Sequence, residues 1–209
     1  SKTLVRPGQP RSAVVTGGGR GIGRAIAIEL KGRGYEVVVT DVVGFAAETT
    51  AREIDAALGL GLDVTDPEAN RQIAARARQI APLGAWVCNA GVLFEGDTAA
   101  LTDSQIRATV EVNVLGVMWG VRAATEAFRA QPEVKGGEIG IVASLSAHAP
   151  VPGLSVYAAT KAAVLSLATS LPSELRKDKI RVHAVCPDGV NTAMVDGMGW
   201  FQIFWRIYL

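Results

Sequence analysis

Tyr157 and Lys161 stand four residues apart in a stretch of helical character, VYAATKAAV, and Ser144 ends an apolar run, IGIVAS, thirteen positions upstream of the tyrosine. Residues i and i+4 of a helix share one face and lie about 6 Å apart along its axis. The Lys161 ammonium can therefore sit beneath the Tyr157 phenol. A free phenol has a pKa of about 10, too high for a base at neutral pH. A neighbouring positive charge favours the phenolate and lowers that value. A tyrosine so placed becomes a general acid or base near working pH. The expectation is a depressed Tyr157 pKa, with Lys161 as the cause. Taken alone, the same spacing describes a surface aromatic and a solvated lysine, so the rest of the chain must decide.

A glycine cluster, TGGGRGIG, follows the first strand-like run, SAVVT, at residues 16–23. Gly17, Gly21 and Gly23 are spaced G-x-x-x-G-x-G, with Arg20 and Ile22 between them. Glycines there permit a tight strand-to-helix turn and a close backbone approach to a pyrophosphate at a helix N-terminus. No GK[ST] follows, so the cluster is not a P-loop. Asp41 ends the second strand candidate, where a carboxylate can accept hydrogen bonds from the hydroxyls of an adenosine ribose. It would repel a 2′-phosphate, which favours NAD over NADP, although Arg20 could pair with such a phosphate. Asp63 and Val64 end the third strand where an adenine would rest; Asp63 also reads as a plain strand-end cap. Asn89, Ala90 and Gly91 end the fourth and offer a small-residue platform beside a cofactor.

The elements that must position these residues alternate. Strand candidates are 12–16, 36–41, 59–63, 85–89, 138–144 and 180–186, and helical stretches are 22–33, about 45–57, 67–80, about 103–129 and 156–177. The strands are continuously apolar, which suits strands buried on both faces. Strand-then-helix alternation implies right-handed βαβ units and an α/β, doubly wound parallel sheet with helices on both faces, a Rossmann-type arrangement. Thr65, Asp66 and Pro67 form a helix start. Pro172 should kink or weaken the last long helix near Ala168. No linker divides the chain, so 1–209 reads as one domain.

Hydrophobic residues make up 49% and charged residues 20%, which predicts a packed core, and the net charge of +1 gives no footprint for nucleic acid or an anionic membrane. Cys88 and Cys186 lie in apolar runs and read as buried free thiols, which fits a reducing compartment. The start lacks the apolar core of a signal peptide, and no apolar run is long enough to span a bilayer. The expected location is the cytoplasm. Residues 193–209 are rich in apolar and aromatic side chains, among them Trp200, Phe201, Phe204, Trp205 and Tyr208. They read as core packing, a subunit contact or a substrate-loop lid.

Together, TGGGRGIG, Asp41, DVT at 63–65, NAG at 89–91, Asn113, Ser144, YAATK at 157–161 and Thr192 resemble the short-chain dehydrogenase/reductase family over about residues 11–195. The resemblance implies an NAD(H)-dependent oxidoreductase that interconverts a secondary alcohol and a ketone. Tyr157 would be the catalytic acid/base and Ser144 would hydrogen-bond the substrate oxygen. Lys161 would bond the nicotinamide ribose, and Asn113 would hold a proton-relaying water. Val190 and Thr192 would contact the carboxamide. No metal takes part, and a homodimer or homotetramer built on the two long helices is expected. The substrate is expected to be apolar and fairly bulky, from Met194, Met198, Trp200 and Phe201.

Several features depart from the family pattern. Cys88 replaces a usual asparagine, and Asp188 replaces a usual glycine. The sheet is expected to lack the family's last strand. His148 reads as a pocket-wall or loop residue, and His183 as a structural polar residue. The alternative reading is a dinucleotide-binding regulatory or scaffold protein with this fold and little turnover.

Overall fold

Valine dominates the first two strands, β1 (Arg11–Thr16) and β2 (Tyr35–Asp41), whose inner residues are almost wholly buried. β-branched side chains favour a pleated surface, and burial on both sides removes the alternation that a half-exposed strand would show. The computed structural model describes residues 9–131, 134–149, 151–187 and, as backbone only, 206–208. Val190, Thr192, Asp188 and nearly all of the 193–209 segment lie outside the described residues.

Four more strands run parallel to these: β3 (Leu58–Gly61), β4 (Leu83–Cys88), β5 (Gly137–Val142) and β6 (Ile180–Cys186). Their order is β3-β2-β1-β4-β5-β6, so the chain reverses direction across the sheet between β1 and β4. That is the switch point where open parallel sheets bind ligands at their C-terminal strand ends. A short strand, β7 (Arg206–Tyr208), pairs antiparallel with the outer edge of β6. The parallel sheet thus has six strands, as the sequence led us to expect, and β7 adds three antiparallel residue pairs along part of its edge.

Helices α1 (Gly21–Gly32) and α2 (Gly44–Glu53) cover one face, burying Ala27, Ala47 and Ala51 against Val15, Val37 and Val39. Helices α3 (Pro67–Ile80), α5 (Gly116–Arg129) and α6 (Ser155–Leu175) cover the other, with Ile73, Val121, Phe128 and Val164 packed on Trp86, Ile139 and Ile141. The start of α3 is as expected: Asp66 accepts from the N–H groups of Glu68 and Ala69 at 2.8 and 3.1 Å, with Pro67 in the first turn. α6 runs unbroken through Pro172.

The long helix expected at about 103–129 is divided. It begins as α4 (Asp103–Val110) behind a Thr102–Gln105 capping box, widens into a π-turn at Glu111–Leu115, and continues as α5. α2 ends at Glu53, short of the expected 57, where Asp55 adopts a left-handed φ of 54°. Ser144 lies beyond β5, not inside it. At the opposite, N-terminal end of the sheet, Glu138 binds Arg181 and also His183, the latter at 2.7 Å, so His183 is structural as expected. Burial would raise the Glu138 pKa, but bonds to His183 and Arg181 outweigh it and the carboxyl lies below its ordinary range.

Candidate active site

The glycine turn joins β1 to α1. Gly17 has a φ of +62°, a conformation that side chains disfavour, and a Cβ there would come within 2.8 Å of the Ala90 Cα. A Cβ on Gly23 would collide with the Gly17 carbonyl and the Asn89 amide. Asn89 closes this turn, donating from Nδ2 to the carbonyls of Thr16 and Gly17, each at 3.0 Å. The Thr16 hydroxyl accepts from the N–H groups of Asn89 and Ala90 at 3.0 and 3.1 Å. The result is a concave backbone surface that ends at the first turn of α1, which has no side-chain cap. Free N–H donors at a helix start attract anions.

Asp41 ends β2 beside this turn. Its carboxylate accepts from the N–H groups of Gly19 and Val43, each at 3.1 Å. Asp63 accepts from the Thr65 N–H at 2.9 Å and the Thr65 hydroxyl at 2.7 Å, which is the strand-end cap weighed from the sequence. Asn70, fully buried on α3, donates to the Val64 carbonyl at 3.0 Å and fixes the loop that follows β3.

Across the switch point, Asn113 lies in the π-turn and is fully buried. It accepts from the Val92 N–H at 2.8 Å and donates to the Val92 carbonyl at 2.9 Å, as a neighbouring strand would. Its second N–H reaches the Thr160 hydroxyl at 3.2 Å, and that hydroxyl donates to the Tyr157 carbonyl at 2.6 Å. Lys161 follows Thr160 on α6 and is 4% exposed, with its ammonium 2.9 Å from the Val142 carbonyl and 5.6 Å from the centre of the Tyr157 ring. A Cβ on Gly91 would stand 3.2 Å from Asn113 Oδ1 and 3.6 Å from Lys161 Nζ, so the space above Gly91 borders both. Ser144 caps a short 3₁₀ turn, Leu145–Ala147, and its hydroxyl oxygen takes the Ser146 N–H at 3.2 Å.

Burial raises the Tyr157 phenol above its ordinary value, and the Ser144 hydroxyl beside it opposes the rise. The depressed value expected from the i, i+4 spacing is thus overturned in this structure. The Lys161 charge is directed at a backbone carbonyl, and desolvation dominates the phenol. Burial also pushes the Lys161 ammonium down to about 8, while the thiols of Cys186 and Cys88 act against the shift. Cys88 itself is pushed up to about 12 by burial.

The family model for short chain dehydrogenases matches residues 11–199. The chain belongs to the short-chain dehydrogenase family of oxidoreductases. Among similar proteins, acetoacetyl-CoA reductase of Synechocystis sp. is 34% identical over 87% of this chain and 72% of its own length. An uncharacterised NAD-dependent oxidoreductase of Mycobacterium tuberculosis is 32% identical over 93% of this chain and 76% of its own. The solved structure of a short-chain type dehydrogenase/reductase from Mycobacterium marinum superposes with a TM-score of 0.84 at 28% identity, covering 94% of this chain and 78% of that one. The chain spans from 36% to 76% of the lengths of the curated relatives it matches.

Short-chain dehydrogenases use a nicotinamide dinucleotide, and the residues present fit one. The Gly17–Gly23 surface and the uncapped start of α1 suit a pyrophosphate, and Asp41 lies at the neighbouring strand end. Of the residues expected from the sequence, the structure gathers Gly17 to Gly23, Asp41, Asn89, Ala90 and Gly91 about β1 and β4, and Asn113, Ser144, Tyr157 and Lys161 about β5 and α6. Three threonines were given no role. Thr16 and Thr160 stand inside the motifs TGGGRGIG and YAATK, a signal that could have exposed them. Thr50 donates to the Gly19 carbonyl from 31 positions away, and nothing in the sequence announces it.

Proposed function

We propose that this chain interconverts a secondary alcohol and a ketone with NAD(H), with Tyr157 as the acid/base. The observation that carries this reading is the buried Lys161 one turn beyond a phenol that lies beside the Ser144 hydroxyl, across the switch point from the glycine turn. A nicotinamide bound here would supply or take the hydride. Tyr157 exchanges the proton with the substrate oxygen, and Ser144 holds that oxygen by a hydrogen bond. A phenol that keeps its proton at neutral pH suits donation to a ketone oxygen. Lys161 would bond the ribose of a bound nicotinamide nucleotide. The gap above Gly91, between Asn113 and Lys161, is the place for a relay water.

Asp41 favours NAD, because a 2′-phosphate would meet its carboxylate, and the similar Mycobacterium tuberculosis protein named NAD-dependent agrees. The substrate proposed is apolar, on the strength of Met194, Met198, Trp200 and Phe201 in the sequence that follows the sixth strand. We further propose a homodimer or homotetramer formed through α4, α5 and α6. Val110 of α4, Leu115 of the π-turn and Met118 of α5 are exposed, and Val110 lines a shallow apolar hollow of about 430 Å³ together with Val114, Val156 and Ala159. Among the described residues no helix is long and apolar enough to cross a membrane, and Cys88 and Cys186 are buried free thiols, which fits the cytoplasm.

Tyr157→Phe tests the central claim. Turnover of an apolar ketone, followed by NADH absorbance, should fall by about 10²–10⁴-fold. NADH affinity should stay within about twofold, since the ring remains. A variant that keeps most of its turnover would end the assignment.

A further inference from the structure

Residue 19 is gripped from both sides. Its N–H donates to Asp41 Oδ2 and its carbonyl accepts the Thr50 hydroxyl, each at 3.1 Å. These bonds lie on either side of the Gly19 Cα, so together they restrain both of its torsions. Thr50 is 2% exposed and stands one turn beyond Ala46 on α2. The Ala46 methyl lies 2.8 Å from where a Gly19 Cβ would be, so the same helix face also presses on the turn. Helical threonines commonly return their hydroxyl to a carbonyl of the preceding turn. Thr109 and Thr125 do so here, at 2.7 and 2.8 Å. Thr50 instead sends its hydroxyl out of its helix to the glycine turn.

Directly after Gly19 come Arg20 and the uncapped first turn of α1. We propose that Thr50 is a positioning residue for the dinucleotide pyrophosphate, holding Gly19 so that the N–H groups opening α1 face the phosphates. This rests on the nucleotide-binding reading above and assigns part of phosphate affinity to α2, a helix that carries none of the expected cofactor contacts.

The test compares Thr50→Val, which keeps shape and loses the hydroxyl, with Thr50→Ser, which restores it. NADH, ADP-ribose and adenosine are titrated onto each full chain, adenosine by displacement of NADH fluorescence. Thr50→Val should bind NADH and ADP-ribose about tenfold more weakly, the scale of one lost hydrogen bond. Adenosine, which carries no phosphate, should bind within about twofold of the unmutated chain, and Thr50→Ser should recover NADH affinity. Unchanged NADH and ADP-ribose affinity in Thr50→Val would overturn the inference, as would an equal loss for adenosine, which would mean general loosening. Should Thr50→Val fail to fold by circular dichroism, Thr50→Ala carries the same expectations. An unmutated chain that binds none of the three ligands would defeat the nucleotide reading itself, and the inference with it.

Discussion

Lys161 takes an ammonium into a space bounded by Cys88, Cys186 and the Val142 carbonyl, and its pKa falls from 10.5 to about 8 as a result of burial. Between those two values the unfolded chain keeps a proton that the folded chain has released. Stability from this residue is therefore present above pH 10.5 and is lost as pH falls toward about 8. Lys161→Met should remove that slope. In urea denaturation at about pH 7.5 and about pH 10, the unmutated chain should gain on the order of 1–3 kcal/mol relative to Lys161→Met at the higher pH. Taking the difference between the two proteins sets aside most of the opposite contribution from Cys88, whose raised thiol loses stability as pH climbs past its ordinary 9.0. An unchanged difference would mean that the buried amine is fully charged in the fold. The raised Tyr157 pKa belongs to the same scale: burial outweighs the opposing bond from the Ser144 hydroxyl, while Lys161 directs its ammonium at a carbonyl.

The π-turn shows why an element can matter more than its length. An extra residue in the helix turns Asn113 inward, where one amide bonds both polar groups of Val92 and the Thr160 hydroxyl. The loop after β4, the π-turn and α6 are thereby joined beside Tyr157, whose carbonyl accepts the Thr160 hydroxyl. Asn113→Leu has a similar volume but would leave the part-buried Val92 N–H without its partner. A stability loss of about 2–4 kcal/mol is expected by urea denaturation. A loss below about 0.5 kcal/mol would show that the junction holds by packing alone. α2 is a second such case, since Thr50 ties it to the glycine turn although it looks like a simple crossover.

For the whole molecule, the proposed assembly buries an apolar surface that a lone chain leaves open. Val110, Leu115 and Met118 are 41%, 37% and 38% exposed on α4, the π-turn and α5. A charge placed there should split an oligomer without touching the sheet. Met118→Glu is predicted to halve the mass measured by light scattering and to leave the far-ultraviolet dichroism unchanged. If the unmutated chain already scatters as a monomer at high concentration, the assembly proposal falls.

Six parallel strands, their helices and the family were legible in the sequence, because doubly buried strands write continuous apolar runs and a glycine turn leaves a spaced signature. Asp66 and Pro67 even marked one helix start to the residue. The spacing of Tyr157 and Lys161 placed both on one helix face, yet it did not reveal which partner the ammonium would choose. Direction, burial and distance between remote segments settled that, and they also set the Tyr157 pKa and the grips of Thr16, Thr50 and Asn113. Local pattern determines where a strand or helix forms; what a buried polar group bonds to depends on chain that lies far away in sequence, so only the folded molecule decides it.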